Sequence, residues 1–283
     1  MTAAAYAKDI LSRIPPNKIE AQRKIVDVLL DLKDDVKHVS KGIDKILHKQ
    51  HSEEDRDIIQ WITAIDYAPQ QHDFLKRRQL GIGQWLLECT EFQQWLKDAK
   101  RGLFCPGIPG SGKTIITAIV IDHLSTKFQE QSDIGIAFIF CNFRRHHEQT
   151  LEDLLAALLK QLTQQQSVVQ SGVTELYNSC KKKGGRPSVE KLSTALQCVS
   201  ALFSRTFLII DALDKCQTTS GCRNAFLDEM LSLQARCGTN LFMTSHFIPE
   251  IAGSLDSQAT LEIRPSDDDV RISRWPHVAT TRV

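Results

Sequence analysis

The spacing of hydrophobic and polar positions changes several times along this chain. Between Ile25 and Ile46, apolar residues recur in alternating steps of four and three, with lysine and aspartate at most positions between them. This heptad spacing predicts an amphipathic helix within an N-terminal region of residues 1–50. Two roles stay open. The helix associates with a second chain or a partner protein, as in a coiled coil, or it packs on its own protein.

The second region, residues 51–100, has the pattern of several short helices. Ser52 can cap a helix whose apolar face includes Ile58, Trp61 and Ile65. The large apolar residues that we expect to pack on the following domain are Trp85, Leu86, Phe92 and Trp95. The region is therefore predicted to be a helical lead-in.

Residues 101–263 alternate between short apolar runs and amphipathic stretches of helical period. The predicted strands are 102–106, 134–141, 206–211, 240–245 and 259–263, and the predicted helices are 113–124, 150–162, 188–203 and 222–237. This alternation predicts an α/β three-layer sandwich, in which helices cover both faces of a parallel sheet. The basic, glycine-rich stretch 179–188 is predicted to be a solvated turn, with a charged contact surface as the alternative. Residues 264–283 form a short polar tail.

Composition and charge argue against several classes of function. The net charge of +1 gives no general attraction for nucleic acid or for a membrane surface. No apolar run approaches the ~20 residues of a membrane helix, and the N-terminus lacks the pattern of a secretory signal. The eight cysteines include no C-x-x-C pair, and we expect them to be reduced thiols. We therefore expect a cytoplasmic protein that binds neither nucleic acid nor membranes.

The segment GIPGSGKT follows a predicted strand, opens a predicted helix and matches the phosphate-loop pattern G-x-x-x-x-G-K-[ST]. Its glycines let successive backbone N–H groups point at phosphate oxygens, and the helix N-terminus adds positive potential. Lys113 is expected to reach the β- and γ-phosphates of ATP or GTP, and Thr114 to offer its hydroxyl to Mg²⁺. The residues predicted to bind nucleotide through this loop are Gly107, Ile108, Pro109, Gly110, Ser111, Gly112, Lys113 and Thr114.

Further polar residues lie at the ends of two of the predicted strands. Asp211 ends the apolar strand of FLIIDALDKC, where a carboxylate can hold Mg²⁺ through a water molecule. Asp214 can orient or deprotonate an attacking water, or it can be a helix-capping acid. Thr244, Ser245 and His246 end another strand at the carboxyl edge of the sheet, where ligands bind. These three polar groups can sense the γ-phosphate, with His246 as a nucleotide-binding residue, or they can simply cap the strand end.

A resemblance to a known family is carried by five stretches: WLLECTEFQQWL, GLFCPGIPGSGKT, FIFCNFRR, FLIIDALDKC and LFMTSHFIPEI. They resemble the nucleotide-binding module of fungal NACHT-type STAND NTPases, also known as nephrocystin 3-like N-terminal domains, over residues 55–270. The resemblance implies an additional-strand P-loop fold, with a sensor strand between the strand before the phosphate loop and the strand of Asp211. It also implies a nucleotide-dependent switch that oligomerises, often in fungal non-self recognition or programmed cell death.

Three departures from that family bear on the steps after nucleotide binding. The family commonly has glutamate where Lys215 stands and arginine where His246 stands. The family's usual winged-helix and repeat regions do not continue from the module here, so we expect a truncated or altered gene product. Lys215 should keep Asp214 ionised but less basic, and a mostly neutral histidine replaces a fixed cation poorly.

We therefore expect a signalling module that binds Mg²⁺ with ATP or GTP and hydrolyses the nucleotide slowly, as a weak NTPase at most. Two alternatives stay open. One is a competent ATPase or GTPase that relies on Asp214, and the other is an interaction protein in which the nucleotide is structural.

Overall fold

The computed structural model describes most of the chain from residue 53 onward. The described ranges are 53–78, 82–143, 149–216 and 221–264. The chain divides into two compact units, Met1–Asp55 and Arg56–Val283, and nearly all described residues belong to the second. The predicted heptad helix lies outside the described residues, as does the polar tail beyond Arg264.

Helices and strands alternate through the described residues, and we number them in chain order. The helices are α1 (53–62), α2 (Ala68–Lys76), α3 (Gln84–Glu88), α4 (Thr90–Lys97), α5 (Lys113–Lys127), α6 (Leu151–Gln164), α7 (Ser171–Lys183), α8 (Val189–Ser200), α9 (Cys222–Cys237) and α10 (Pro249–Ser254). The strands are β1 (Gly102–Pro106), β2 (Ile134–Phe140), β3 (Arg205–Asp211), β4 (Asn240–Ser245) and β5 (Ala259–Thr260). A 3₁₀ turn, Leu213–Lys215, comes after β3.

The strands form one parallel sheet in the order β2-β3-β4-β1-β5. A row of apolar residues crosses its centre, since Phe138 lies opposite Ile209, Ile209 opposite Phe242, and Phe242 opposite Leu103. Burial on both faces explains why these strands are almost continuously apolar. The predicted α/β class is therefore confirmed. The predicted insertion of β4 between β1 and β3 is confirmed as well.

Strand β5 is shorter than the predicted run of residues 259–263. Its hydrogen bonds to β1 nevertheless continue beyond Thr260. The Leu261 N–H donates to the Phe104 carbonyl at 2.9 Å, and the Ile263 N–H donates to the Pro106 carbonyl at 2.7 Å. These bonds bring Ile263 to the point where β1 ends.

Helix α4 attaches the lead-in to the sheet. The Trp95 ring packs edge-on against Phe207 and Phe242, at centroid distances of 5.3 Å and 5.7 Å. Its Nε1 donates to the Leu241 carbonyl at 2.9 Å, and Asn240 Nδ2 donates to the Trp95 carbonyl at 2.6 Å. Helix α4 therefore packs on the sheet through a buried tryptophan.

Helix α7 corrects the prediction of a turn over residues 179–188, because the helix continues to Lys183. Its buried residues Val173, Leu176 and Cys180 recur at helical spacing. The polar serines and lysines around Cys180 obscured this pattern. Gly184 ends the helix in a left-handed conformation, with φ of 66°, so the turn is confined to the residues before Val189.

No helix among the described residues is both long enough and apolar enough to cross a membrane. All eight cysteines lie in the described ranges, and none forms a disulfide bond. Cys105 and Cys141 are buried, in agreement with the expectation of reduced thiols inside apolar runs.

Candidate functional site

The loop between β1 and α5 curls tightly around its own backbone. Gly110 and Gly112 have φ of 79° and 86°, a left-handed conformation that residues with a Cβ rarely adopt. A Cβ on Gly107 would collide with the Ile263 carbonyl and the Ser111 hydroxyl. The glycines therefore permit a path that bulkier residues would distort.

Lys113 folds back along this loop. Its Nζ donates to the carbonyls of Gly107 and Ile108, each at 2.8 Å, and lies 3.5 Å from the Ser111 hydroxyl. Burial lowers the pKa of the Lys113 ammonium below its ordinary value. Gly112 is the N-cap residue of α5, so no N-cap side chain accepts a hydrogen bond from the first N–H groups of this helix. A cation and a helix N-terminus thus converge, as in sites that bind phosphate groups.

Asp211 is held by hydroxyl groups at the end of β3. Its Oδ2 accepts a hydrogen bond from Thr114 Oγ1 at 2.8 Å. Its Oδ1 accepts from Thr117 Oγ1 at 2.9 Å and from Thr244 Oγ1 at 2.7 Å. The residue is 2% exposed, and burial raises the pKa of its carboxyl, with partial opposition from the hydroxyl donors. Three elements, α5, β3 and β4, therefore fix this carboxylate.

The donor set around Asp211 fits Mg²⁺. Carboxylate and hydroxyl oxygens are hard ligands, and Mg²⁺ bound with a nucleotide takes few protein ligands because phosphates and water fill the others. Within the described ranges, no cluster of three or more His, Cys, Asp or Glu residues could hold a metal by itself. Asp211 and Thr114 can therefore supply the protein part of a shared site, but not a closed protein cage.

The backbone between the two acids makes an unusual turn at Ala212. Its φ of 53° and ψ of 51° place it in the left-handed region, which is sparsely populated by residues other than glycine. The Ala212 N–H donates to Thr244 Oγ1 at 2.9 Å, so the hydroxyl that binds Asp211 also holds this turn. The turn directs Asp214 toward the end of β4.

Asp214 has cationic and N–H donors around it. Lys215 Nζ and His246 Nδ1 each lie 3.1 Å from Oδ2, and the His246 backbone N–H donates to Oδ1 at 2.9 Å. The Asp214 side chain is 3% exposed, whereas that of Lys215 is 35% exposed. Burial lowers the pKa of His246, although the Asp214 charge opposes this shift.

All predicted site residues lie within the described ranges, at the carboxyl edge of the sheet. Ile108 contributes its backbone carbonyl, which accepts from Lys113 Nζ, while its side chain is 52% exposed. Thr117 was not among the predicted site residues. The available signal was its position three residues after Thr114, on the same face of a helix. Thr244 was predicted at this edge, but its bond to Asp211 was not.

The phosphate loop after β1, Asp211 at the end of β3, and the β4 strand inserted between them define an α/β P-loop NTPase fold of the additional-strand class. The chain belongs to the family described as nephrocystin 3, N-terminal, whose model matches residues 81–246. This membership confirms the family predicted from the five sequence stretches.

A curated relative and several solved structures are also similar to this chain. The vegetative incompatibility protein HET-E-1 of Podospora anserina is 33% identical over 142 residues, which are 47% of this chain and 10% of the relative. The chain therefore spans about a tenth of the length of that relative.

Among solved structures, C. elegans PCH-2 is 14% identical, with a TM-score of 0.34 and coverage of 74% of this chain and 46% of that one. The Aeropyrum pernix ORC1 protein in complex with DNA is 14% identical, with a TM-score of 0.40 and coverage of 74% and 49%. Likeness at this level adds nothing to the functional assignment.

Proposed function

We propose that this chain is a nucleotide-dependent signalling module that binds ATP or GTP with Mg²⁺ and hydrolyses it slowly. The observation that carries the proposal is the environment of Asp214. Its carboxylate already contacts Lys215 and His246, and its side chain is 3% exposed. The loop would therefore supply the groups that bind phosphate. Asp214, in contrast, has little exposed surface that an attacking water could contact.

The binding half of the site would use the residues that the loop brings together. Lys113 would exchange the carbonyls of Gly107 and Ile108 for phosphate oxygens. Thr114 and Asp211 would hold Mg²⁺, which offsets the negative charge of the phosphates when bound. The uncapped start of α5 would donate backbone N–H groups to the same anion.

Two features are expected to make hydrolysis slow. They concern Asp214 and His246, the residues beside the expected γ-phosphate. Lys215 Nζ lies 3.1 Å from Asp214 Oδ2, so a cation of the protein already occupies this carboxylate. The pKa of His246 is lowered, so its side chain supplies no fixed positive charge at neutral pH. The loss of one cation that stabilises the transition state reduces phosphoryl transfer by about 10³-fold or more.

The cellular role that we propose comes from the relative. HET-E-1 is named as a vegetative incompatibility protein, so we propose that this chain takes part in fungal non-self recognition or programmed cell death. We propose a cytoplasmic location for it. We further propose self-association, or binding of a partner protein, through residues 1–50.

Nucleotide binding and phosphate release, measured on the same protein, test the proposed function. A fluorescent ATP or GTP analogue is expected to bind the wild type in the presence of Mg²⁺. Lys113→Ala is expected to weaken this binding about 10- to 100-fold, because it removes a charged contact to the phosphates. Phosphate release is expected at about 10⁻³ s⁻¹ or less, the range of unassisted GTPases.

Lys215→Glu tests why release is slow. The substitution removes the cation next to Asp214 and adds an acid at a position that water reaches, so release is expected to rise about tenfold. Lys182→Glu, the same charge change at an exposed position of α7, is the matched control. Rapid wild-type turnover that Lys113→Ala abolishes would instead establish a competent NTPase. A wild type that binds neither nucleotide would contradict the whole proposal.

A further inference from the structure

The His246 ring is held through one of its two nitrogens. Its Nδ1 lies 3.1 Å from Asp214 Oδ2, and its own backbone N–H donates to the other oxygen, Oδ1, at 2.9 Å. Both oxygens of one buried carboxylate are thus attached to the same residue. Nε2 makes no hydrogen bond within the described part of the chain, and the side chain is 28% exposed. The arrangement fixes the ring while leaving one nitrogen available.

The neighbouring charges determine which nitrogen carries the proton. Nδ1 faces a carboxylate and is therefore the donor, which leaves Nε2 with a lone pair when the ring is neutral. The titratable groups that act on the ring are Asp214, Lys113 and Lys215. Burial and the two lysines lower the pKa of His246, while Asp214 raises it. Near neutral pH, Nε2 is therefore a hydrogen-bond acceptor.

His246 is also placed beside the phosphate loop. The residue before it, Ser245, accepts a hydrogen bond at 3.1 Å from the N–H of Gly107, the first residue of the loop. The charge of Lys113, which is expected to bind the terminal phosphate, acts on both His246 and Asp214. An acceptor nitrogen thus lies on the side of the loop where the γ-phosphate is expected.

We propose that His246 is the catalytic base of the slow hydrolysis and that Asp214 is its positioning residue. This inference rests on the proposed function. In the step, Nε2 takes a proton from water, and the water oxygen forms a bond to the γ-phosphorus. The bond from that phosphorus to the β–γ bridging oxygen breaks, which releases the nucleoside diphosphate and inorganic phosphate. Asp214 stabilises the imidazolium, which then returns its proton to solvent.

Two substitutions of His246 separate a base from a simple cation. Measured on the full chain with Mg²⁺ and fluorescent nucleotide, His246→Gln is expected to keep its affinity within about threefold but to lose about 100-fold in phosphate release. His246→Arg replaces the base with a fixed cation, so whatever its rate, its release is expected to lose the rise with pH that a histidine base produces. His72→Gln, at an exposed position of α2, is the matched control.

Asp214→Asn tests the positioning role through the pH profile. A neutral base predicts release that rises with pH and then levels off, with a midpoint below pH ~6.5, the ordinary pKa of histidine. Because the Asp214 charge raises the pKa of His246, its removal is expected to shift this profile to lower pH and to reduce the plateau about tenfold. A merely structural role would reduce release without moving the profile.

Several outcomes would overturn the inference. These are release in His246→Arg that still rises with pH as in the wild type, unchanged release in His246→Gln, and wild-type release no faster than that of Lys113→Ala. Each of them leaves nucleotide binding intact and so spares the binding half of the proposed function. Loss of binding in the wild type itself would overturn both proposals and is measured separately from release.

Discussion

Asp211, which ends β3, and Asp214, three residues later, have opposite surroundings. Asp211 accepts hydrogen bonds from three threonine hydroxyls, which carry no charge. Asp214 instead contacts Lys215 and His246. The Asp211 residue is 2% exposed and the Asp214 side chain is 3% exposed, so both carboxylates are almost completely buried. The difference between them therefore lies in the chemistry of their neighbours, not in their depth.

Neutral donors orient a carboxylate without cancelling its charge, whereas a cation next to it does both. Asp211 consequently keeps a negative charge that a metal ion can use. At Asp214, much of the charge is already offset by Lys215. Asp211 can therefore bind an incoming cation, whereas Asp214 already pairs with Lys215 and His246.

The largest expected difference is in the dependence of nucleotide affinity on Mg²⁺. Asp211→Asn preserves size but removes the charge, and it is expected to lower Mg²⁺-dependent affinity about 100-fold. Asp214→Asn is expected to change this affinity by less than about threefold, because Asp214 is paired within the protein. Titration with a fluorescent nucleotide, in Mg²⁺ and then in EDTA, measures both effects.

The EDTA titration is the control. Without the metal, the Asp211 charge only repels the phosphates, so Asp211→Asn should bind nucleotide at least as tightly as the wild type. Equal losses for the two variants in Mg²⁺ would remove the distinction between the acids.

Acidic pH should weaken Mg²⁺-dependent binding through Asp211. Burial raises the pKa of this carboxyl above its ordinary value, and Mg²⁺ requires the ionised form. Affinity is therefore expected to fall as the pH decreases through this raised pKa, by up to about tenfold per pH unit. The fall should begin above the range of an ordinary aspartate and be absent from Asp211→Asn. A flat wild-type profile in Mg²⁺ would contradict the assignment.

Removal of one hydroxyl should have a smaller effect than removal of the charge. Thr117→Val is nearly isosteric and deletes the 2.9 Å bond to Asp211 Oδ1, while the bond from Thr244 remains. We expect roughly a tenfold loss of Mg²⁺-dependent affinity, as for other groups that orient a metal ligand.

The matched control for Thr117→Val is Thr194→Val. Both hydroxyls donate to the carbonyl four residues earlier, at 3.0 Å to Lys113 and at 2.8 Å to Glu190. Thr194 is exposed. If both variants lose affinity equally, the effect comes from the helix rather than from the orientation of Asp211.

The two acids also differ in how far their roles could be predicted from the sequence. The loop between β1 and α5 and the position of Asp211 were predictable because each follows from a contiguous pattern: a glycine loop between strand and helix, and an acid at a strand end. The insertion of β4 was predictable only through the family resemblance, because residue patterns do not specify strand order. These features cover most of the fold and the phosphate-binding half of the site.

The pairing of side chains was not predictable from the sequence. His246 and Asp214 are separated by 32 residues, and they meet because β4 lies beside β3 and Ala212 adopts a left-handed turn. The contacts of Thr117 and Thr244 with Asp211 likewise depend on the packing of three elements. Such contacts depend on tertiary structure. The sequence therefore indicates a role for Asp214 only through its position after the strand, and not through its partners.

The smallest expected effect is on stability without ligands, and its sign differs between the two acids. Burial raises the pKa of Asp211, so at neutral pH its ionised form disfavours the folded state relative to the unfolded one. Asp211→Asn is therefore expected to stabilise the protein by about 1 kcal/mol, or about 3 °C in Tm. Asp214→Asn weakens contacts to Lys215 and His246 and is expected to destabilise it by about 1–2 kcal/mol.

Thermal unfolding at pH 7, with EDTA and without nucleotide, measures both changes. The gain in Asp211→Asn should shrink as the pH falls through the raised pKa of the wild-type carboxyl. Once that carboxyl is protonated in the folded state, the variant no longer removes a buried charge. Destabilisation by both substitutions at pH 7 would mean that the hydroxyls of Thr114, Thr117 and Thr244 fully compensate for the burial of Asp211. The carboxylate would then be held by the fold rather than kept ready for a cation.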